Sequence, residues 1–192
     1  MLYPVNVEIK DMEITIIGGG DVAYRKCKNF LAFDKCVKVV SNNFIDKFSE
    51  LKDKIEIIED VYKEEYIKNS FIVVAATNNK EINQKIGIYC RNNGKLVNVV
   101  DDIDLSNYTV PSYVKRGDLL ISISTGGKSP SLSSKIKREL EEKYDDSYEE
   151  YIDLLGKMRK DIISNTEDIM LRKKKLNELV NLSLEELKLI TR

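Results

Sequence analysis

A chain of 192 residues with 42% hydrophobic and 33% charged side chains can bury one medium core, with or without a smaller appendage, beneath a well-solvated surface. A formal net charge of −1 gives no basic footprint for nucleic acid or anionic membrane, and no apolar run reaches the roughly 20 residues a bilayer span needs. Histidine is absent, so proton transfer falls to carboxylates, Lys, Tyr or Cys, and no tight protein-only metal site is expected.

Residues 1–10 have no basic stretch leading into an apolar one, so no leader peptide is expected. Residues 12–17 form a short β-branched run that ends in three glycines and predicts the first strand. A helix is predicted over residues 22–33, with Val22, Ala23, Cys27, Phe30 and Leu31 near one face. Residues 37–40 read as a second strand, 44–51 as a helix and 55–59 as a third, more polar strand. The nearly pure apolar run at 71–75 suits a strand covered on both faces. A helix over 79–92 stops at Asn93-Gly94, and 96–100 is a further buried strand. This alternation predicts an α/β fold with a Rossmann-type parallel sheet.

The character changes after Asp101. Residues 108–113 and 119–124 flank the turn-like Lys115-Arg116-Gly117-Asp118 and predict a hairpin. Ser129 as cap and Pro130 at the first helical position open a helix running to about residue 143. From residue 145 onward the only glycine is Gly156, and Leu, Glu and Lys dominate, predicting a small helical C-terminal region. Ser183 and Glu186 have capping-box spacing. Cys27, Cys36 and Cys90 form no CxxC pair and read as buried small hydrophobes in a reducing cytoplasm.

Between the first strand and the first helix, Gly18, Gly19, Gly20, Asp21, Val22 and Ala23 fit G-x-G-x-x-A, the context that makes a dinucleotide fingerprint specific. The first glycine permits the tight turn, Gly20 lets a pyrophosphate approach the backbone, and Ala23 allows close helix–sheet packing. The acid that usually ends the second strand to hold the ribose is missing. Ser41, Asn42 and Asn43 stand there instead, and they serve either ribose or an ordinary turn. Ala75-Ala76-Thr77-Asn78-Asn79 follows a core strand on the side where ligands bind open α/β sheets, although it equally describes a plain strand-to-helix loop. Asp101 and Asp102 end the last core strand. A carboxylate in a partly desolvated crevice there suits a general base, and the alternative is a pair of loop acids capping the next turn. Lys128 and Ser129, after Gly126-Gly127, suit an anionic group at a helix start or a plain N-cap.

Taken in order, GGGDVAYRK at 18–26, VVAATNN at 73–79, NVVDD at 98–102, VPS at 110–112 and STGGKSP at 124–130 resemble one family. It is the precorrin-2 dehydrogenase/sirohydrochlorin ferrochelatase family, whose domain also forms the N-terminal part of siroheme synthases. The resemblance covers roughly residues 1–165. It implies an NAD-binding Rossmann domain at 1–112, a dimerisation segment at 113–145 and a helical domain at 146–192, assembled as a homodimer. It further implies that Asp21, Val22, Asn42 and Asn43 contact NAD, that Thr77 and Asn78 lie by the cofactor, and that Asp101 is the catalytic aspartate. Lys128 and Ser129 would meet the carboxylates of the tetrapyrrole substrate, precorrin-2. Oxidation to sirohydrochlorin on the route to siroheme is the implied activity. Some members of the family also insert iron, and the lack of histidine gives that second activity no support here. The methyltransferase fused in full siroheme synthases is not expected, so another enzyme would make the precorrin-2. Two rival readings stand beside this one: a non-catalytic NAD(H)-sensing module, and a dehydrogenase of another small polyanion on the same scaffold.

Overall fold

The computed structural model describes residues 2–191, which form two compact units divided between Thr109 and Val110. The first unit is built on a parallel sheet of β1 (Ile14–Ile17), β2 (Lys38–Ser41), β3 (Glu56–Glu59), β4 (Ile72–Ala75) and β5 (Leu96–Val99). Their order is β3-β2-β1-β4-β5, with every neighbouring pair parallel. The α/β class and the parallel sheet expected from the alternation are both present.

The burial of β1 and β4 explains their composition, because all eight of their residues are buried. A central parallel strand has no wet face, so β-branched apolar residues fill it end to end. On one face Ile14, Ile16, Val39, Ile72 and Val74 pack with Ala23 and Cys27 of helix α1 (Asp21–Leu31) and with Phe48. On the other face Ile17, Val40, Val73, Ala75, Val97 and Val99 pack with Ile86 and Cys90 of helix α2 (Lys80–Asn92). Thr15 is the polar exception, and its Oγ1 lies 2.7 Å from Ser70 Oγ, which satisfies it.

The chain leaves edge strand β3 through a 3-10 helix, Glu64–Ile67, and returns beside β1 as β4. Strand order therefore reverses between β1 and β4, and loops on both sides of that point open toward the carboxyl edge. The helix expected over 44–51 is a 3-10 helix restricted to Asp46–Leu51. Six residues are too few to propagate an α-helix, and Phe48 and Leu51 anchor them as tertiary contacts.

In the second unit β6 (Ser112–Arg116) and β7 (Leu119–Ile123) form an antiparallel hairpin. Its first strand starts later than residue 108, because Tyr108 packs on the sheet of the first unit and Pro111 has no N–H to donate. Gly117 opens the two-residue turn at φ +54, which a side chain would strain. Helices α3 (Pro130–Lys143), α4 (Ser147–Asn165), α5 (Ile169–Leu179) and α6 (Leu184–Ile190) complete the unit. Ser183 and Glu186 make both bonds of the capping box at the start of α6, and Leu187 behind them is fully buried. Among the described residues no helix is long and apolar enough to cross a membrane.

One sequence expectation fails here. Cys27 and Cys90 are buried, but Cys36 is exposed in the turn between α1 and β2. Burial pushes the Cys27 thiol up to about 12 and the Cys90 thiol up to about 11. The thiolate is the reactive form, so both are inert while the fold is intact. Titration with a thiol reagent at pH 8 is therefore expected to show a single fast-reacting thiol, lost in Cys36→Ser. The other two should appear only with unfolding, and three equally fast thiols in the native protein would contradict this packing.

Candidate functional site

The carboxyl ends of β1, β2, β4 and β5 gather most of the sequence-predicted residues. Gly18 N–H donates to Val40 O at 2.9 Å and Ala76 N–H donates to Ile17 O at 2.8 Å, so the chain leaving β1 is held between the loops leaving β2 and β4. A Cβ on Gly18 would lie 2.2 Å from Ala76 O, and its φ of +130 already disfavours a side chain. A Cβ on Gly19 would lie 2.0 Å from Asn43 O, and Ile45 N–H donates to Gly19 O at 3.0 Å. Both glycines are thus demanded by the protein's own backbone.

Gly20 differs. A Cβ there would meet nothing within 4 Å, and its φ of −92 suits any residue. The fold has no internal use for this missing side chain. Gly20 caps α1 without a side-chain acceptor, and the first helical bond runs from Tyr24 N–H to Gly20 O. The amides of the first turn accordingly have no side-chain partner from the cap, and open space at Gly20 leaves room for a phosphate there. Ala23, fully buried against the sheet, lets the helix sit that close. Asp21 brings a negative charge to this turn, but its carboxylate is 2.7 Å from Lys47 Nζ. That hydrogen bond raises the Lys47 ammonium above its ordinary value and offsets the charge conflict with a phosphate. Val22 is partly exposed beside it. Open space at Gly20, uncapped amides and a neutralised acid together fit the pyrophosphate of NAD.

After β2, the Ser41 hydroxyl donates to Asn43 O at 2.7 Å and closes the turn on itself. The side chains of Asn42 and Asn43 remain exposed. After β4, Thr77 is half-buried and Asn78 exposed. Asn79 caps α2, its side chain accepting from Ile82 N–H at 3.1 Å.

The two acids after β5 separate cleanly. Asp102 Oδ1 accepts from the N–H groups of Asp104 and Leu105, both at 3.0 Å, which is the turn-capping role. Asp101 is free of that duty and receives Nδ2 of Asn83 at 3.1 Å. The desolvated crevice expected around Asp101 is not found, because the residue is exposed. β5 is an outer strand, so no further strand flanks its carboxyl end.

Sequence reasoning missed two polar side chains. Lys26 Nζ donates to Asn98 Oδ1 at 2.9 Å, tying α1 to β5 across the face of the sheet. Burial, with the neighbouring Arg25 charge, lowers the Lys26 ammonium. Asn83 on α2 is fully buried and bonds both Thr77 and Asp101. A signal for Asn83 was present, since Asn83, Ile86, Gly87 and Cys90 are the buried residues of α2. They fall at the spacing of a helical core stripe, so Asn83 is a polar residue in an apolar position.

Lys128 and Ser129 belong to the second unit. Gly126 and Gly127 adopt φ of +60 and +81, which turns the chain so that Ser129 caps α3, its Oγ accepting from Leu132 N–H at 3.3 Å. The Lys128 side chain is exposed. A separate cavity of about 600 Å³, lined by Phe44, Ile45, Phe48, Ile57 and Glu59 among others, flanks β3 at the sheet edge opposite Asp101. Among the described residues no three or more acidic or thiol side chains gather as if to hold a metal.

Comparison with known proteins adds five findings. A family model described as putative NAD(P)-binding matches residues 5–112, and one described as the central part of sirohaem biosynthesis proteins matches residues 116–143. The precorrin-2 dehydrogenase of Priestia megaterium is 31% identical over 160 residues, covering 82% of this chain and 79% of that protein. The siroheme synthase of Ruthia magnifica is 32% identical over 170 residues, and there the match covers 86% of this chain but only 36% of the relative. The solved structure of SirC, a precorrin-2 dehydrogenase, is similar with a TM-score of 0.78 at 30% identity, covering 97% of this chain and 96% of that one.

Alanine at the two glycines should separate folding from binding. Gly18→Ala is expected to cost about 3 kcal/mol or more in urea unfolding, from the clash and the backbone strain. Gly20→Ala should cost no more than about 1 kcal/mol, a cap substitution, while weakening NAD about tenfold or more by calorimetry. Unchanged NAD affinity in Gly20→Ala would show that the pyrophosphate lies elsewhere.

Proposed function

The chain belongs to the precorrin-2 dehydrogenase and siroheme synthase family, and we propose from that membership how its residues divide the work of oxidising precorrin-2 with NAD. The activity is the two-electron conversion of precorrin-2 to sirohydrochlorin in siroheme synthesis. When bound, NAD supplies the hydride acceptor, so the macrocycle gives up one hydride to the nicotinamide and one proton to the protein. The observation that carries the site reading is Gly20, a missing side chain for which the surrounding structure has no steric need.

The first-turn amides of α1, from Asp21 onward, hold the pyrophosphate, with Lys47 keeping the Asp21 charge offset. Val22 lines the same turn. Asn42 and Asn43 hydrogen-bond the ribose as neutral groups, because the Ser41 hydroxyl is committed to the turn. Thr77 and Asn78 border the nicotinamide half, at the strand-order reversal where open sheets bind ligands. Asp101 accepts the proton, as the carboxylate at this edge that is not engaged in capping a turn. Lys128 and the α3 N-terminus at Ser129 receive substrate carboxylates, a charge-assisted contact suited to a polyanionic tetrapyrrole.

The siroheme synthases matched are about three times as long as the region they share with this chain, so their other activities are not carried over. A homodimer built on residues 113–145 is part of the proposal. A two-stranded sheet is marginal by itself. Leu119, Ile121 and Ile123 of β7 are only half-buried, Leu120 is exposed, and Ser133 is the sole buried residue of α3. A second copy would cover these residues. A cytoplasmic setting belongs to the same reading, since the three cysteines are free thiols.

Asp101→Asn is expected to lower kcat for precorrin-2 about 100-fold or more while leaving NAD affinity within a few fold. Wild-type turnover in that variant would remove Asp101 from the chemistry. Sedimentation should find twice the chain mass, and Leu120→Glu should shift the equilibrium toward monomer. A monomeric wild type at micromolar concentration would contradict the dimer.

A further inference from the structure

Asn83 makes four hydrogen bonds from a fully buried position on α2. Its Oδ1 accepts from Thr77 N–H at 3.2 Å and from Thr77 Oγ1 at 2.7 Å. Its Nδ2 donates to Thr77 O at 3.0 Å and to Asp101 Oδ1 at 3.1 Å. The direction of the amide follows from chemistry alone. A backbone N–H can only donate and a backbone carbonyl can only accept, so Thr77 pins Oδ1 on one side and Nδ2 on the other. The N–H that remains must point at Asp101.

We infer that Asn83 is a positioning residue for the oxidation, locking Asp101 Oδ1 as a hydrogen-bond acceptor so that the proton taken from precorrin-2 is received on Oδ2. This inference rests on Asp101 being the base. An amide donor on Oδ1 opposes a proton on that oxygen, because two hydrogens would then face each other. The same amide grips both backbone groups of Thr77, so the loop beside the cofactor and the base are held by one buried side chain. Leucine or isoleucine would fill this core position more cheaply, since a buried amide costs free energy unless every group is paired. In Asn83 every group is paired, and one of its partners is the proposed base.

The experiment is the pH profile of kcat in Asn83→Asp, read with NAD affinity. Aspartate keeps the acceptor toward the Thr77 N–H and hydroxyl, loses the donors toward Thr77 O and Asp101, and sets a second carboxylate beside Asp101. Two such carboxylates do not both ionise readily, so the acidic limb is expected to rise by about one pH unit or more. NAD affinity reads the Thr77 loop, which loses one of its bonds, whereas a residue that only filled the core would lower stability without moving the limb. A profile superimposable on wild type overturns the inference. Should Asn83→Asp fail to fold, wild-type protein decides by NMR. The Asn83 side-chain amide signals should titrate at the midpoint of the acidic limb and stop titrating in Asp101→Asn, and pH-independent signals overturn the inference. Full turnover in Asp101→Asn would mean that the base reading fails. An inactive Asp101→Asn with an unmoved limb or flat Asn83 signals would mean that the positioning role alone fails.

Discussion

The site depends on one steric constraint, the passage of the Gly18–Gly19 backbone between the loops that leave β2 and β4. β1 is the central strand, so the chain that exits it has neighbours on both sides. Ala76 O stands where one Cβ would go and Asn43 O where the next would go. That approach draws the segments carrying Asn42, Asn43, Thr77 and Asn78 onto one edge. It also starts α1 there, with its uncapped amides turned to the same opening. In the proposed reading cofactor binding is a by-product of how tightly three strands converge, and Gly20 is where a Cβ would meet nothing of the protein's own.

Two side-chain amides extend that edge to β5. Asn98 ties it to α1 through Lys26 from one face of the sheet. Asn83 ties it to the Thr77 loop from the other. Asp101 therefore sits on a strand end fixed from both faces although it is exposed itself, an arrangement in which geometry rather than burial orients the proposed base.

Much of this was legible in the sequence, because periodicity reports burial. The all-apolar runs of β1 and β4 can only be strands covered on both sides, and a glycine triplet set between a strand and a helix marks the tight turn that a dinucleotide needs. Less legible were features set by tertiary contact. Residues 44–51 have helical pattern, yet their final form is a short 3-10 turn anchored by Phe48 and Leu51. Cys36 looks like its two buried counterparts in composition but falls in a turn. The separate duties of Asp101 and Asp102 depend on which carboxylate meets the Asp104 and Leu105 amides, which adjacency in sequence does not disclose. Asn83 left a trace as a polar residue on an apolar stripe, but its partners lie 6 and 18 positions away.

The most direct test of the central claim is the stoichiometry of a single anaerobic reaction between purified protein, precorrin-2 generated in situ, and NAD. NADH and sirohydrochlorin are expected to form one for one, faster than spontaneous oxidation, with one proton released to the medium by the end of turnover. NAD that binds while precorrin-2 oxidises only at the spontaneous rate would contradict a dehydrogenase and leave a cofactor-sensing protein in its place.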